Sequence, residues 1–179
     1  MSKKRPQPFK LLAKLDDSCR EKAFELPKIE DVATSWSGVA FRLHGETYVA
    51  PLTEVAEILD IPRLTQIPGS KKWVKGVANV RGTLLPVMDL QGFLFKKPNR
   101  SRKQRLLVIQ NGDFLSSIVV DEVLGLQHFE DNDRLGDVPQ VDEVVQPFVN
   151  DGFNRENQVW NVFSLFALAE DNTFLQVAV

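Results

Sequence analysis

The chain has 179 residues, a net charge of -2 and a single cysteine, Cys19. That length allows one domain or two small lobes sharing a core, and the slightly acidic balance argues against a general binder of nucleic acid. A lone cysteine excludes an internal disulfide and points to a reducing, cytoplasmic setting.

From the N-terminus, Phe9, Leu12, Leu15, Cys19, Ala23 and Leu26 recur at three- and four-residue steps between Pro8 and Pro27. This spacing predicts an amphipathic helix, packed on its own domain or docked on a partner. The basic start, MSKKRPQPFK, runs into KLDDSCREK rather than an apolar core, so no secretion signal is expected. No apolar run reaches the roughly 20 residues that cross a bilayer. Any membrane link is therefore expected through a partner, without direct insertion.

After Trp36 the period changes to that of strands. WSGVAFRL and TYVAPL flank His44-Gly45-Glu46 as a hairpin, and TEVAEIL reads as a helical turn or bent strand. Two prolines and a glycine make DIPRLTQIPG a loop. WVKGVANVRGTLLPVMDL then reads as two strands folded back at Arg81-Gly82. Gly76 inside the first strand predicts a bulge or the close approach of another backbone, and Pro86 predicts an edge or bulge. Asp89 is placed to cap a short helical turn, DLQGFLF. Residues 96–105 hold six cations in ten and read as a solvated loop; residues 130–143 hold six acids against one arginine and read as a long exposed loop.

The pattern then repeats. LLVIQ-NGD-FLSSIVVDEVLGL follows VAFRL-HGE-TYVAPLTEVAEIL, pairing Gly45 with Gly112, Glu46 with Asp113 and Glu54-Val55 with Glu122-Val123. VWNVFSLFAL likewise follows LLPVMDLQGFL. Two copies of short strands imply two similar β lobes, small barrels with a shared interface, and the lack of βαβ alternation excludes a Rossmann or P-loop fold.

Nothing in the chain supplies a nucleophile, a base and a group to orient them. His44 and His128 lack partners at metal-ligand spacing, Cys19 falls on an apolar helix face, and Asp121-Glu122 reads as neighbouring acids in a solvated turn. The expectation is a protein without catalysis, metal or cofactor. The hairpin offers a docking surface instead, an apolar patch from Val77, Leu84 and their neighbours rimmed by Lys75 and Arg81. Periodicity alone leaves open that these cations only guard a strand edge. It also leaves open a nucleic-acid-binding barrel that uses the basic loop 96–105.

GVANVRGTLLPVMDL resembles the signature segment of CheW-like domains, the adaptors of bacterial chemosensory arrays, through Lys75, Gly76, Asn79, Arg81, Gly82, Pro86, Asp89 and Leu90. Phe41, Leu43, Tyr48, Val55, Glu57 and Ile58 resemble the family's upstream segment, and LSSIVVDEVLGLQHF a later one. The details are most similar to adaptors of the system that controls type IV pili and twitching motility. The resemblance implies a mainly β fold of two five-stranded, SH3-like barrels around a shared core, with an N-terminal helix and short helical turns. It places the N-terminal tail and helix at 1–35, the CheW-like domain at 36–168 and a C-terminal tail at 169–179. It implies a non-catalytic adaptor between a chemoreceptor's cytoplasmic tip and the regulatory domain of a CheA-type histidine kinase, held at the inner face of the membrane by receptor complexes. Val55, Glu57, Lys75 and Arg81 would make the partner contacts, with Asn79 in the same motif, and Val77, Leu84 and Val87 would line or back the groove between the lobes. Pro51 departs from the family's pattern and is expected to bend its strand.

Overall fold

The structure is a computed structural model that describes residues 35–112 and 114–178, together with Phe9, Leu12, Leu15, Asp16 and Ser18. Residues 1–32 and 33–179 form separate compact units. In the first, Phe9, Leu12 and Leu15 are helical; Cys19, Ala23 and Leu26 lie outside the described residues.

The second unit is built from ten strands: β1 (Ser35–Leu43), β2 (Glu46–Pro51), β3 (Val55–Leu59), β4 (Val74–Val80), β5 (Thr83–Asp89), β6 (Arg105–Asn111), β7 (Phe114–Val120), β8 (Glu122–Glu130), β9 (Val149–Arg155) and β10 (Gln158–Phe163). Helix α1 (Leu90–Phe95) follows β5, and helices α2 (Leu165–Glu170) and α3 (Asn172–Leu175) follow β10. The strands form two five-stranded sheets, ordered β8-β1-β2-β10-β9 in lobe one and β3-β6-β7-β5-β4 in lobe two.

Both lobes have the same order, yet neither is one copy of the repeat. The copies are β1 to α1 and β6 to α2. Lobe one takes β1 and β2 from the first copy and its other three strands from the second, and lobe two does the converse. Even the parallel pairing is equivalent: Val49 faces Val162 in lobe one as Ser117 faces Val87 in lobe two. The chain crosses between sheets twice, through a 3-10 turn at Leu52–Glu54 and at Asp121.

Strands β1, β2, β6 and β7 are buried on both faces, which explains their unbroken apolar runs. Val39, Phe41 and Leu43 face the core between the lobes, where they meet Leu107, Ile109 and Ile118 of lobe two. Ala40 and Val49 face the opposite way, into lobe one's own interior with Phe129, Phe153 and Trp160. Leu106, Val108 and Val119 do the same in lobe two, with Ala78, Leu85 and Val87.

Two sequence expectations need correction. Pro86 lies on β5, an inner strand between β7 and β4. It is tolerated because its partner Val77 turns its N–H and C=O away from β5, to Thr65. Pro86 nitrogen therefore points toward β7, ahead of the ladder that begins at Val87, and no β4–β5 donor is lost. The expected tail at 169–179 is also no tail. Phe174 is fully buried, with its ring 5.5 Å from Trp73 and 5.2 Å from Phe93. Val177 C=O accepts a hydrogen bond from Lys71 N–H.

Candidate partner-docking surface

Arg81-Gly82 is a two-residue turn with both φ angles positive, 52° and 88°, the backbone that a tight hairpin demands. Asn79 Oδ1 accepts from Gly82 N–H at 2.9 Å, so Asn79 holds the turn as well as facing solvent. Upstream, the register shifts between Val74 and Gly76. Here Gly76 takes φ 135°, and a Cβ on it would fall 2.2 Å from Thr65 O. The glycine thus serves both a bulge and the approach of another backbone, since Thr65 and Val77 exchange two hydrogen bonds at 2.8 and 2.9 Å. That pairing covers part of β4's free edge.

Within the hairpin, Ala78 and Leu85 pair and face inward, so Asn79 and Leu84, and Val77 and Pro86, face out. Leu84 is 69% exposed. Neighbouring strands lie about 4.8 Å apart, so the edge strands of a flat five-stranded sheet would be separated by roughly 19 Å. Arg81 nevertheless reaches Glu57 on the opposite edge strand at 2.5 Å. The sheet has therefore curled round until its edges meet. A cavity of about 250 Å³ opens at this seam, lined by Glu57, Arg81, Val80, Leu85 and Leu115.

The rim is less positive than the sequence implies. The Arg81 side chain is 77% exposed, but Glu57 neutralises it. Lys75 Nζ stands 4.0 Å from Asp89 Oδ2. Asp89 is buried, caps α1 through Gly92 N–H and accepts from Asn99 N–H, so Lys75 balances a carboxylate that the fold needs. Val55 is half-buried against the core between the lobes. Val87 is fully buried inside lobe two, so it backs this surface and cannot touch a partner.

The repeat places a second surface on lobe one, which the sequence reading passed over. Val159 corresponds to Leu84 and is 47% exposed; Leu126 corresponds to Ile58, at 48% against 41%. Arg81 corresponds to Glu156, with the same positive φ. Arg155 closes this lobe's seam, donating to His128 C=O at 2.6 Å and to Gln127 Oε1 at 2.7 Å. The signal was available: aligning the repeat copies and asking which outward apolar positions recur finds both faces.

The charged loops are pinned rather than freely solvated. Asn99 is buried, Ser101 Oγ donates to Asp121 C=O, Lys103 pairs with Glu122, and Arg105 pairs with Asp60. Lys103 and Arg42 hold the Glu122 carboxyl below its usual range. In the acidic loop, Arg134 pairs with Asp151, and Pro139 packs on Gly152. Asp121 is no ordinary turn acid. Burial raises its pKa, His44 and Gly45 N–H groups ease this in part, and Oδ1 has no hydrogen-bond partner. Among the described residues no three His, Cys, Asp or Glu side chains gather as a metal site.

A family model for the CheW-like domain matches residues 37–172. The chain belongs to the CheW-like domain family. Protein PilI of Pseudomonas aeruginosa is 49% identical over 173 residues, which cover 96% of this chain and 97% of that protein. Protein FrzA of Myxococcus xanthus is 36% identical over 88 residues, 49% of this chain and 55% of that protein. Among solved structures, the scaffolding protein TtCheW from Thermoanaerobacter tengcongensis superposes with a TM-score of 0.66 at 24% identity, covering 77% of this chain and 94% of that one. This CheW-like domain thus has the fold expected from its sequence motifs.

Proposed function

We propose that this CheW-like domain is a non-catalytic signalling adaptor that joins a chemoreceptor's cytoplasmic tip to the regulatory domain of a CheA-type histidine kinase. The observation that carries the reading is its pair of equivalent but unlike faces. Each lobe shows exposed apolar side chains at matching positions, Leu84 and Ile58 on one and Val159 and Leu126 on the other, with Arg81 at one tip and Glu156 at the other. Equivalent apolar centres bordered by different polar groups, an Arg81–Glu57 pair on one and Arg155 with Glu156 on the other, fit two different partners on one body. Similarity to PilI along nearly the whole chain supports a place in the system that controls type IV pili and twitching motility. The adaptor then sits at the inner face of the membrane, held by receptor complexes.

The test must separate Arg81 from its ion pair with Glu57. Arg81→Glu sets two carboxylates side by side, whereas Glu57→Arg with Arg81→Glu restores the pair in reverse. Binding of a receptor cytoplasmic fragment and of the kinase regulatory domain is measured by calorimetry, with circular dichroism to follow the fold. Leu84→Asp and Arg81→Glu are expected to weaken one partner at least tenfold and spare the other; the reversed pair is expected to stay folded and still bind weakly. Full binding of both partners by folded Leu84→Asp would refute the assignment of this face.

A further inference from the structure

A cavity of about 530 Å³ lies between the basic loop and the turn that joins β1 to β2, lined by His44, Gln91, Lys97, Asn99, Arg100 and Asp121 among others. None of its lining residues belongs to either proposed docking face. Two of them keep a buried polar atom without a partner, Asn99 Nδ2 and Asp121 Oδ1. Asn99 is only 6% exposed, and its other polar groups are all engaged. Its N–H donates to Asp89, its C=O accepts from Gln104 Nε2, and its Oδ1 accepts from Ser101 N–H at 3.0 Å. That last bond fixes the amide, because turning it over would set two donors face to face. Ser101 Oγ donates to Asp121 C=O at 2.7 Å, so one serine ties down both residues. Buried donors and acceptors are rarely left unpaired, and one of each in a single cavity marks a place that a ligand can complete. Lys97 and Arg100 are exposed and, unlike Lys103 and Arg105, pair with no acid among the described residues.

We infer that this cavity binds a nucleotide, with the base edge meeting Asn99 Nδ2 and Asp121 Oδ1 and the phosphate meeting Lys97 and Arg100. A base edge sets an N–H donor beside an acceptor, the complement of one amide N–H and one carboxylate oxygen. Free phosphate would suit the cations but would face the Asp121 carboxylate. A simple cation would suit Asp121 but would be repelled by Lys97 and Arg100. The cavity also has room for far more than one ion.

Calorimetry of the full chain at low salt tests this with AMP, GMP, CMP and UMP, and with ribose 5-phosphate as the probe for phosphate alone. At least one nucleotide is expected to bind, about tenfold or more tighter than ribose 5-phosphate, and to bind less tightly as salt rises. Lys97→Glu with Arg100→Glu, both on exposed side chains, is expected to weaken binding at least tenfold. Asn99→Asp keeps the acceptor for Ser101 N–H but removes the donor, and a loss of about tenfold or more is expected. Circular dichroism follows the fold of each variant; should Asn99→Asp unfold, the double charge reversal still decides. No binding of any of the four nucleotides overturns the inference. Ribose 5-phosphate binding as tightly as a nucleotide overturns it too, since the loop would then hold phosphate alone. So does nucleotide binding that every folded variant leaves intact, which would place the ligand elsewhere.

Discussion

Gly76→Ala is the sharpest test of how the hairpin is built. The added Cβ meets Thr65 O at 2.2 Å and Thr65 C at 2.9 Å, both backbone atoms that cannot rotate aside. The φ of 135° is in addition a conformation that disfavours any residue with a Cβ, at a cost of about 1–2 kcal/mol. Relieving the clash means moving the Thr65 strand, which loses two backbone hydrogen bonds of roughly 1 kcal/mol each. The sum is about 3–4 kcal/mol, or a fall in Tm near 10 °C for a domain of this size. Urea unfolding followed by tryptophan fluorescence measures it, with buried Trp73 just ahead of β4 as reporter. Gly82→Ala is the control. Its φ of 88° is strained in the same sense, but a Cβ there meets nothing within 4 Å, so only about 1 kcal/mol is expected. Equal losses in the two variants would refute the claim that the Thr65 approach dictates glycine at position 76.

Three further outcomes follow from buried groups. Glu54→Ala strips the acceptor from Leu165 N–H, Phe166 N–H and Ser164 Oγ, and a loss of about 2–4 kcal/mol is expected in urea unfolding. Phe174→Ala opens the cluster with Trp73 and Phe93 and is expected to cost about 3–5 kcal/mol, although it falls in the segment that the sequence reads as a tail. Asp121→Asn is expected to stabilise the protein at neutral pH. Because burial raises the folded-state pKa of Asp121, the folded state holds its proton to higher pH than the unfolded chain does. Wild-type stability therefore gains from this group as pH falls through the raised pKa toward the ordinary carboxylate value. The advantage of the asparagine variant should shrink over that same window, as read by paired thermal melts; an advantage independent of pH would refute the assignment.

Local chemistry was legible in the sequence. The turn at Arg81-Gly82, the bulge at Gly76 and the cap at Asp89 each depend on a few adjacent residues, and each stands in the structure as read. The repeat was legible too, because equivalent strands need equivalent patterns. What the repeat could not state is which sheet each strand joins. Strand assignment depends on long-range pairing, and β1 meets β8 across more than eighty residues of chain. The charges misled for the same reason. Arg81 looked free because its partner lies 24 residues away on the other edge of a sheet whose closure is a tertiary fact. Val87 looked available because strand alternation does not say which face of a two-sided strand meets solvent. Leu126 and Val159 went unnoticed because a lone outward aliphatic residue is ordinary until its counterpart in the other lobe is exposed as well.

Two crossovers tie the lobes together. The strands pass between the two sheets at Leu52–Glu54 and at Asp121, and the repeat makes the two crossovers equivalent, with Glu54 matched by Glu122, the neighbour of Asp121. An acid beside a crossover can meet the unpaired N–H groups at the N-terminus of a neighbouring helix. At the first site this is what happens: α2 is capped by the neutral Ser164, which leaves Leu165 and Phe166 N–H groups for Glu54. At the second site the cap is itself an acid, Asp89, whose charge raises the Asp121 pKa further and whose second oxygen is taken by Asn99 N–H. One link is fully satisfied and the other is left with an unpaired oxygen. The two crossovers are thus held by different bonds, Glu54 through its carboxylate and Asp121 also through its backbone, which donates to Arg42 C=O and accepts from Ser101 Oγ. The large core shared by the lobes resists any motion of one against the other, so the two proposed docking faces belong to one packed body.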